Sequence, residues 1–415
     1  LISAVYNLVD SVYVAQYSDE AFLALSYAYP IQMLLVAFCS GIGVGFSAIF
    51  SRRLGEGDQE QAASAVCHGF FLYGLCWLLF LLFALTGAAP FLRLSTEDPS
   101  VARQGAQYLL ICCGLSIGTC MQFLTERILQ AMGRPAGFMI VQGSGAILNL
   151  ILDPIFIFVL DLGVAGAAAA TVIGQISGAL IGFWLVYRLR HQLPIRLRGF
   201  RPRGEMLAEM GRVAAPAVVM QSLSSFMSLG LNQLLTRWSQ SAVFVLGAYF
   251  KLQTFIFMPI FGISSGLIPI LSYNYGSGAL RRVSASVRFG QQFTAVLSLS
   301  GALLLSLLAS PLLRSAFRAS PEALAMGAPA LRIIALSFFF AGTSIIFCSA
   351  FQSLGRSRWS LLVALLRQIL LLLPAAALLL ALKPALVWAA FPLSELISCF
   401  AAALLYRRTI QKQLL

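Results

Sequence analysis

Residues 61–89 read QAASAVCHGFFLYGLCWLLFLLFALTGAA, 29 consecutive positions without Asp, Glu, Lys or Arg. About 20 apolar residues suffice for an α-helix to cross the hydrocarbon core of a bilayer. Similar runs recur along all 415 residues, of which 59% are hydrophobic and only 10% are charged. Water-soluble domains carry about 25% charged residues, and a transmembrane β-barrel would show short alternating segments. The sequence therefore predicts an all-α, polytopic membrane protein.

Twelve hydrophobic segments cover the chain, and each is predicted to form one transmembrane helix. They are 1–17, 21–50, 61–89, 101–132, 136–160, 164–187, 207–238, 241–271, 284–309, 322–354, 359–381 and 385–406. The first would be about 25 Å long as a helix, against a hydrocarbon core of about 30 Å. Because it is short and begins with Leu, we expect the natural chain to start earlier.

The basic residues lie mostly in the short connections between these segments. The net charge of +13 is therefore spread along the chain, which argues against a nucleic-acid surface. If the amino terminus is cytoplasmic, the cytoplasmic connections hold sixteen Lys and Arg residues and the opposite side holds four. Cytoplasmic connections of membrane proteins are enriched in these residues. Both termini are predicted to be cytoplasmic, with a basic linker at 188–206 and a tail at 407–415.

The chain contains an internal repeat. SRRLGEGD at 51–58 resembles SYNYGSGA at 272–279, and LQAMGRP at 129–135 resembles FQSLGRS at 351–357, at offsets of 221 and 222 residues. The repeat predicts two pseudo-symmetric six-helix lobes, 1–187 and 207–406. An even number of helices in each lobe places the pseudo-twofold axis along the membrane normal. Two lobes around a cavity that opens alternately to each side are typical of secondary transporters.

Two pairs of an acid and a nearby amide lie inside the predicted helices of the first lobe. Asp10 and Asn7 share one face of the first segment, and Asp153 and Asn149 share one face of the fifth. Ionisable residues at bilayer depth cost several kcal/mol and are candidates for function. Carboxylate and amide oxygens suit a proton or Na⁺. The alternative is a structural polar cluster that ties the two helices together.

The second lobe does not repeat these acids. Its intramembrane charges are Lys251, Arg332, Arg367 and Glu395. Glu395 is expected to pair with Lys251 or Arg367; alternatively, Lys251 or Arg367 faces a substrate cavity and adjusts its charge preference. In the first lobe, Glu126 and Arg127 lie near the end of the fourth segment, where we expect snorkelling or a local salt bridge.

The eight cysteines favour no metal or redox site. They are Cys39, Cys67, Cys76, Cys112, Cys113, Cys120, Cys348 and Cys399, and all lie inside apolar runs. No two form a CxxC motif, and the chain has only two histidines to add as ligands. Buried, inert thiols are the favoured interpretation, and no bound metal is expected beyond a possible Na⁺.

Several motifs occur together in an order that resembles one transporter family. They are NLVD at 7–10, SRRLGEGD at 51–58, QAMGRP at 130–135, NLILDP at 149–154, AYFKLQTFIFMP at 248–259 and SYNYGSG at 272–278. In this set the chain resembles bacterial MATE (multidrug and toxic compound extrusion) transporters and is most similar to the DinF-like branch. The resemblance spans nearly the whole sequence.

The resemblance implies a twelve-helix, two-lobe antiporter of the cytoplasmic membrane that exports amphipathic, often cationic, organic compounds in exchange for H⁺ or Na⁺. Asp10, Asn149 and Asp153 match the coupling-ion site of that branch, Thr171 matches its hydroxyl, and Asn7 is a candidate partner. We expect a monomer in the lipid bilayer that takes small organic substrates. It is expected to be no enzyme and to bind no nucleic acid and no cofactor besides the coupling ion.

Two other functions are weighed against this one. A lipid-linked oligosaccharide flippase of related architecture needs cationic side chains for a pyrophosphate, and Lys251, Arg332 and Arg367 keep that alternative open. A membrane-embedded transferase needs a clustered acid/base or metal set, and His68 and His191 are too isolated to supply one. The sequence distinguishes neither H⁺ from Na⁺ nor one natural substrate from another.

Overall fold

The computed structural model describes residues 13, 14, 16–96, 98–189, 200–315, 317 and 319–408, and within them the regular elements are all helical. The α-helices of the first half are α1 (Asp19–Gly55), α2 (Gln59–Thr86), α3 (Ala88–Ser95), α4 (Pro99–Gly114), α5 (Ile117–Ala131), α6 (Pro135–Pro154) and α7 (Gly163–Arg188). Those that follow are α8 (Gly204–Thr236), α9 (Gln240–Gly276), α10 (Leu280–Ser315), α11 (Pro321–Ala335), α12 (Phe338–Ser353), α13 (Ser357–Leu365), α14 (Leu372–Leu382) and α15 (Ala390–Tyr406). Two π-helical segments, Ile155–Val159 and Leu366–Leu370, and a 3₁₀ segment, Pro384–Ala389, complete the set. The predicted all-α class is confirmed.

The described helices provide nine to eleven candidate membrane spans, judged by length and composition. Nine are long and apolar enough to cross a bilayer alone, and two bent pairs, α4 with α5 and α11 with α12, bring the number to eleven. These spans correspond to the second to twelfth predicted segments. A helix satisfies its own backbone hydrogen bonds, so uncharged runs of this length are stable in lipid as helices. The first predicted segment, 1–17, lies almost entirely outside the described residues.

The two bent pairs correct the prediction of continuous helices over 101–132 and 322–354. The axis turns by 42° between α4 and α5 and by 44° between α11 and α12. At each break a serine hydroxyl donates to the carbonyl three residues earlier: Ser116 to Cys113 O at 2.7 Å and Ser337 to Ile334 O at 2.6 Å. Such local side-chain bonds compete with the helical ladder and bend it.

The internal repeat is visible in the backbone of two pairs of turns. Gly57 and Gly278 have φ of +77° and +72°, and Gly133 and Gly355 both have φ of +71°. Each follows a helix end, where the next N–H returns to a carbonyl five residues earlier, as in Arg134 N to Leu129 O and in Arg356 N to Phe351 O, both 2.8 Å. This helix end needs a left-handed residue, for which glycine is preferred. The shared glycines are therefore structural.

The chain divides into two compact units, residues 1–214 and 215–415. In the first unit the buried core centres on aromatic side chains of α1, α2 and α4, including Phe46, Tyr73 and Tyr108. In the second, Phe338 and Phe351 belong to two separate apolar clusters. Helix α8 begins at Gly204, inside the predicted linker 188–206, and residues 190–199 of that linker lie outside the described part of the chain.

Candidate functional site

Asn149 and Asp153 form a hydrogen-bonded pair on α6. They lie four residues apart, which places them on one helix face, and Asn149 Nδ2 donates to Asp153 Oδ1 at 2.9 Å. Asp153 is 0% exposed and Asn149 2%. Helix α6 ends at Pro154, directly after the acid, and the backbone continues in π-helical geometry over Ile155–Val159. The predicted acid and amide of the fifth segment therefore form one buried polar pair.

Thr171 of α7 lies beside this pair. Its Oγ1 is 3.5 Å from Asn149 Nδ2. The two helices approach closely because Gly145 of α6 faces Gly174 of α7: a Cβ added to either would lie 2.8 or 2.7 Å from the other's carbonyl oxygen. Small residues at such crossings allow backbones to touch in membranes. The glycines thus bring Thr171 within reach of the amide.

A small polar cavity borders Asn149 and Thr171. Its other polar lining is Gln122, Gln142 and Gln175, and its volume is about 20 Å³. A water needs about 10–15 Å³ and several polar partners, so the cavity has room for one. Within the described residues, Asn149 Oδ1 has no hydrogen-bond partner. The site therefore joins a carboxylate and a hydroxyl with an open amide oxygen beside a water-sized space.

Sequence reasoning missed the three glutamines because it started from the intramembrane acids and added only the amides about one helical turn away from them. Their signal is visible in the sequence, since each lies inside an apolar segment. Gln175 accepts a hydrogen bond from Thr119 Oγ1, and Gln122 donates to Glu126 Oε1 at 3.0 Å. Glu126 is only 3% exposed, so of the two predicted outcomes, snorkelling and a local salt bridge, snorkelling is wrong. The polar set extends along α5 to this second buried carboxyl group.

Asp10 and Asn7 lie outside the described residues, so their assignment to this site stays a prediction. Of the predicted coupling-site residues, those that the described part of the chain contains and brings together are Asn149, Asp153 and Thr171. They come from α6 and α7, which correspond to the fifth and sixth predicted segments.

In the second unit, Arg367 and Glu395 form an ion pair. Arg367 Nη2 lies 2.7 Å from Glu395 Oε1, and Nε donates to the same oxygen at 3.1 Å. Arg367 belongs to the π-helical segment Leu366–Leu370, and Glu395 to α15. Lys251 is exposed on α9, and Arg332 Nε donates to Ser306 O at 3.2 Å. Of the two predicted partners of Glu395, the structure shows Arg367.

The fold and the site together define a class of protein. Three features are together typical of a secondary transporter: many membrane spans, an internal repeat visible in the helix ends, and a buried oxygen-rich cluster in one unit. The family model MatE matches residues 1–155 and 216–378. The chain belongs to the MatE family. It is a multi-pass membrane transporter and not an enzyme.

Curated relatives and solved structures agree with this assignment. The chain is 26% identical over 385 residues to the multidrug export protein MepA of Staphylococcus aureus (strain MRSA252), covering 90% of this chain and 82% of MepA. It is 25% identical over 378 residues to MepA of Staphylococcus saprophyticus, with the same coverage. A crystal structure of a MATE protein in its bent conformation matches with a TM-score of 0.92 at 22% identity, covering 99% and 92% of the two chains. A MOP superfamily transporter from Pyrococcus furiosus matches with a TM-score of 0.90 at 23% identity and the same coverage.

Proposed function

We propose that this chain exports amphipathic, often cationic, organic compounds across the cytoplasmic membrane in exchange for H⁺ or Na⁺. The MepA relatives are named as multidrug exporters, and membership of the same family supports a similar cargo. The observation that carries the coupling step is the buried cluster of Asn149, Asp153 and Thr171. A carboxylate without exposure to water is costly unless it binds a proton or a cation.

In this mechanism the Asp153 carboxylate binds the coupling ion. The Asn149 amide holds the carboxylate in place through its N–H group, and its oxygen, together with Thr171 Oγ1, serves as a ligand or proton acceptor. Asp10 and Asn7 are proposed as further partners. By linkage, ion and substrate must favour different states of one two-state protein, because otherwise no gradient energy is transmitted.

We further propose that both termini lie in the cytoplasm, on the basis of the sixteen-to-four distribution of basic residues, and that the chain acts as a monomer. The test is labelling of single cysteines introduced at Ser277 and Lys383, predicted to lie on the cytoplasmic and the opposite side. A membrane-impermeant maleimide added to intact cells should label only the cysteine at 383.

The cationic side chains of the second unit favour export over flipping of a lipid-linked oligosaccharide. Arg367 is paired with Glu395, and Arg332 donates to a backbone carbonyl. A pyrophosphate would have to compete with these partners. Lys251 is exposed on α9, so the contacts of two of the three predicted cations argue against the flippase and the third does not.

The function is tested in proteoliposomes that contain the purified chain and a fluorescent organic cation. A pH gradient and a Na⁺ gradient are imposed separately, and accumulation of the dye against its own gradient is followed. Accumulation under one of the two gradients supports antiport and identifies the ion. Gradient-independent transfer of a radiolabelled lipid-linked sugar, with no movement of the dye, would replace the exporter by the flippase.

A further inference from the structure

Three cysteines from three helices meet in the core of the first unit. Cys39 of α1, Cys76 of α2 and Cys120 of α5 have sulfur atoms that all lie within 4.8 Å of one another. The Sγ atoms of Cys39 and Cys120 are 3.7 Å apart. All three side chains are buried, with exposures of 0%, 4% and 0%. We propose that this cluster is a binding site for trivalent arsenic or antimony, which it holds through three thiolate sulfurs.

The spacing of the sulfurs fits one shared central atom. Two sulfurs bonded to the same atom at about 2.3 Å, at a tetrahedral angle, lie about 3.8 Å apart. The Cys39–Cys120 distance is already close to that value, and Cys76 lies within the same small volume. The three sulfurs need only a small inward movement to become common ligands. Soft thiolate ligands select soft, thiophilic central atoms over hard cations such as Mg²⁺ and Ca²⁺.

The absence of a fourth ligand argues against zinc. Structural Zn²⁺ is almost always held by four ligands in tetrahedral geometry. Among the residues that the structure describes, the metal-ligating groups at this point are the three cysteines alone, with no histidine or carboxylate in the set. Trivalent arsenic and antimony, in contrast, are stable with three ligands because a lone pair occupies the fourth direction.

Charge balance also favours trivalent arsenic over Zn²⁺ and Cu⁺. Cys39 lies at the middle of the span Leu23–Gly55, and Cys76 and Cys120 lie within about one and a half turns of the centres of their own spans. A net charge at this depth costs several kcal/mol. Three thiolates leave a charge of −1 with Zn²⁺ and −2 with Cu⁺, but none with As³⁺. Neutral arsenous acid, As(OH)₃, reacts with three neutral thiols to give As(S-Cys)₃ and three waters. Three As–O bonds and three S–H bonds are replaced by three As–S and three O–H bonds, with no change in oxidation state.

The neighbouring hydrogen bonds leave the sulfurs available. Tyr73 OH donates to the backbone carbonyl of Cys39 at 2.9 Å and so fixes α1 against α2 without using the thiol. The Cys39–Cys120 contact is a weak hydrogen bond between two thiols, in which either sulfur is the donor. A bound arsenic atom would replace this contact by covalent links between α1, α2 and α5. The sequence could not show the cluster, because its members are 37 and 44 residues apart.

The test uses the purified full chain in nanodiscs, incubated with arsenous acid and freed of excess reagent. The wild type should retain one arsenic per chain, with three sulfur and no oxygen neighbours by X-ray absorption. Cys39→Ala, Cys76→Ala and Cys120→Ala should each weaken retention at least tenfold and leave at most two sulfur neighbours. The matched control is Cys113→Ala, which removes a fully buried thiol of the same unit outside the cluster and should bind as the wild type does.

Folding is monitored separately by thermal unfolding of each variant without arsenic. Arsenous acid should raise the melting temperature of the wild type and of Cys113→Ala, and leave that of Cys120→Ser unchanged. If Cys120→Ala unfolds, arsenic retention by the wild type is compared with that of Cys120→Ser and Cys39→Ala instead. The proposal is overturned if the folded wild type retains no arsenic, if Cys113→Ala loses as much as the cluster variants, or if Zn²⁺ is retained in place of arsenic.

Discussion

Replacing Asp153 by Asn is the most direct test of the ion-coupling site. The substitution keeps the size and shape of the side chain but removes the group that can exchange a proton or hold Na⁺ as a carboxylate. In the wild type, Asn149 Nδ2 donates to Asp153 Oδ1 at 2.9 Å. In the variant it can still donate to the side-chain oxygen of the new asparagine. We expect the variant to fold and insert, and to lose gradient-driven export.

The size of each effect follows from this geometry. A hydrogen bond to a charged group contributes about 1.5–3 kcal/mol and one between neutral groups about 1 kcal/mol, so the exchanged bond costs at most about 2 kcal/mol. Removing a fully buried charge offsets part of this loss. For transport, one pH unit supplies about 1.4 kcal/mol per exchanged proton, or a tenfold substrate gradient. Asp153→Asn should reduce that tenfold accumulation to a ratio of one.

The assay is dye accumulation in proteoliposomes under separate pH and Na⁺ gradients, with the amount of inserted protein measured in each sample. Asp161→Asn is the matched control, because Asp161 is an exposed carboxylate soon after the π-helical segment that follows Asp153. Like Asp153, it accepts a hydrogen bond, here from Tyr17 OH at 2.9 Å. It changes the net charge equally and should transport normally. Tenfold accumulation by Asp153→Asn under either gradient would refute the role of this carboxylate.

Three further sets of substitutions test the supporting structure. Gly174→Ala places a methyl group 2.7 Å from a carbonyl oxygen of α6. It should separate α6 from α7 and lower coupled transport severalfold. The control Gly143→Ala, with open space around the new methyl group, should transport normally. Arg367→Gln or Glu395→Gln should each lower the free energy of unfolding by about 3 kcal/mol, because one largely buried charge, with a side chain 12% or 13% exposed, is left unpaired. The double substitution by Leu should recover most of that loss in the same unfolding measurement; equal loss in the double variant would contradict the pairing argument. Gly355→Ala should lower the free energy of unfolding by about 1 kcal/mol, since φ is +71° and left-handed backbone is unfavourable for residues other than Gly and Asn. Gly355→Asn should lower it less. Equal melting temperatures for the two variants would contradict this reason.

The fold was predictable from the sequence because lipid imposes a simple rule. Backbone groups in hydrocarbon must bond within the segment, so a long uncharged run has few alternatives to a helix. The ends were less predictable: the predicted segment 241–271 continues to Gly276 in the structure, and 207–238 begins at Gly204. Polar residues can extend a helix beyond the hydrocarbon core, and hydropathy alone does not register them.

The bends within two spans were not predictable, because the break at Leu336–Ser337 contains no proline or glycine, and Gly114, at the other break, is a residue type that many membrane helices contain without a bend. Ser116 and Ser337 bend the backbone by bonding to carbonyls three residues earlier. Many serines in membrane helices make similar bonds while the helix continues, as Ser177 does with Ile173 O on α7. The residue type is therefore compatible with both outcomes, and the packing of the surrounding helices decides between them.

The polar site was predicted only in part, for a related reason. Asp153 and Asn149 could be found because a buried acid is costly and its nearest partner is one helical turn away. The glutamines of the cavity and the cysteine cluster join residues from different helices. A single sequence contains no information on which faces of those helices meet.

The two units share their turns and their bends, yet the polar site has no counterpart in the second unit, and the backbone explains why. Asn149 and Asp153 lie in regular α-helix, and the π-helical segment follows them at Ile155–Val159. At an offset of 222 residues the corresponding positions are Leu371 and Ala375, and there the π-helical segment, Leu366–Leu370, comes before them.

A π-helical turn inserts one extra residue, which rotates the following side chains by about 100°. Even an acid and an amide at these two positions would therefore face a different direction from those of the first unit. The partly buried charges of this region, Arg367 and Glu395, instead neutralise each other. The internal repeat thus preserves the common scaffold, whereas the apolar Leu371 and Ala375, together with the different placement of one π-helical turn, leave this polar site to the first unit.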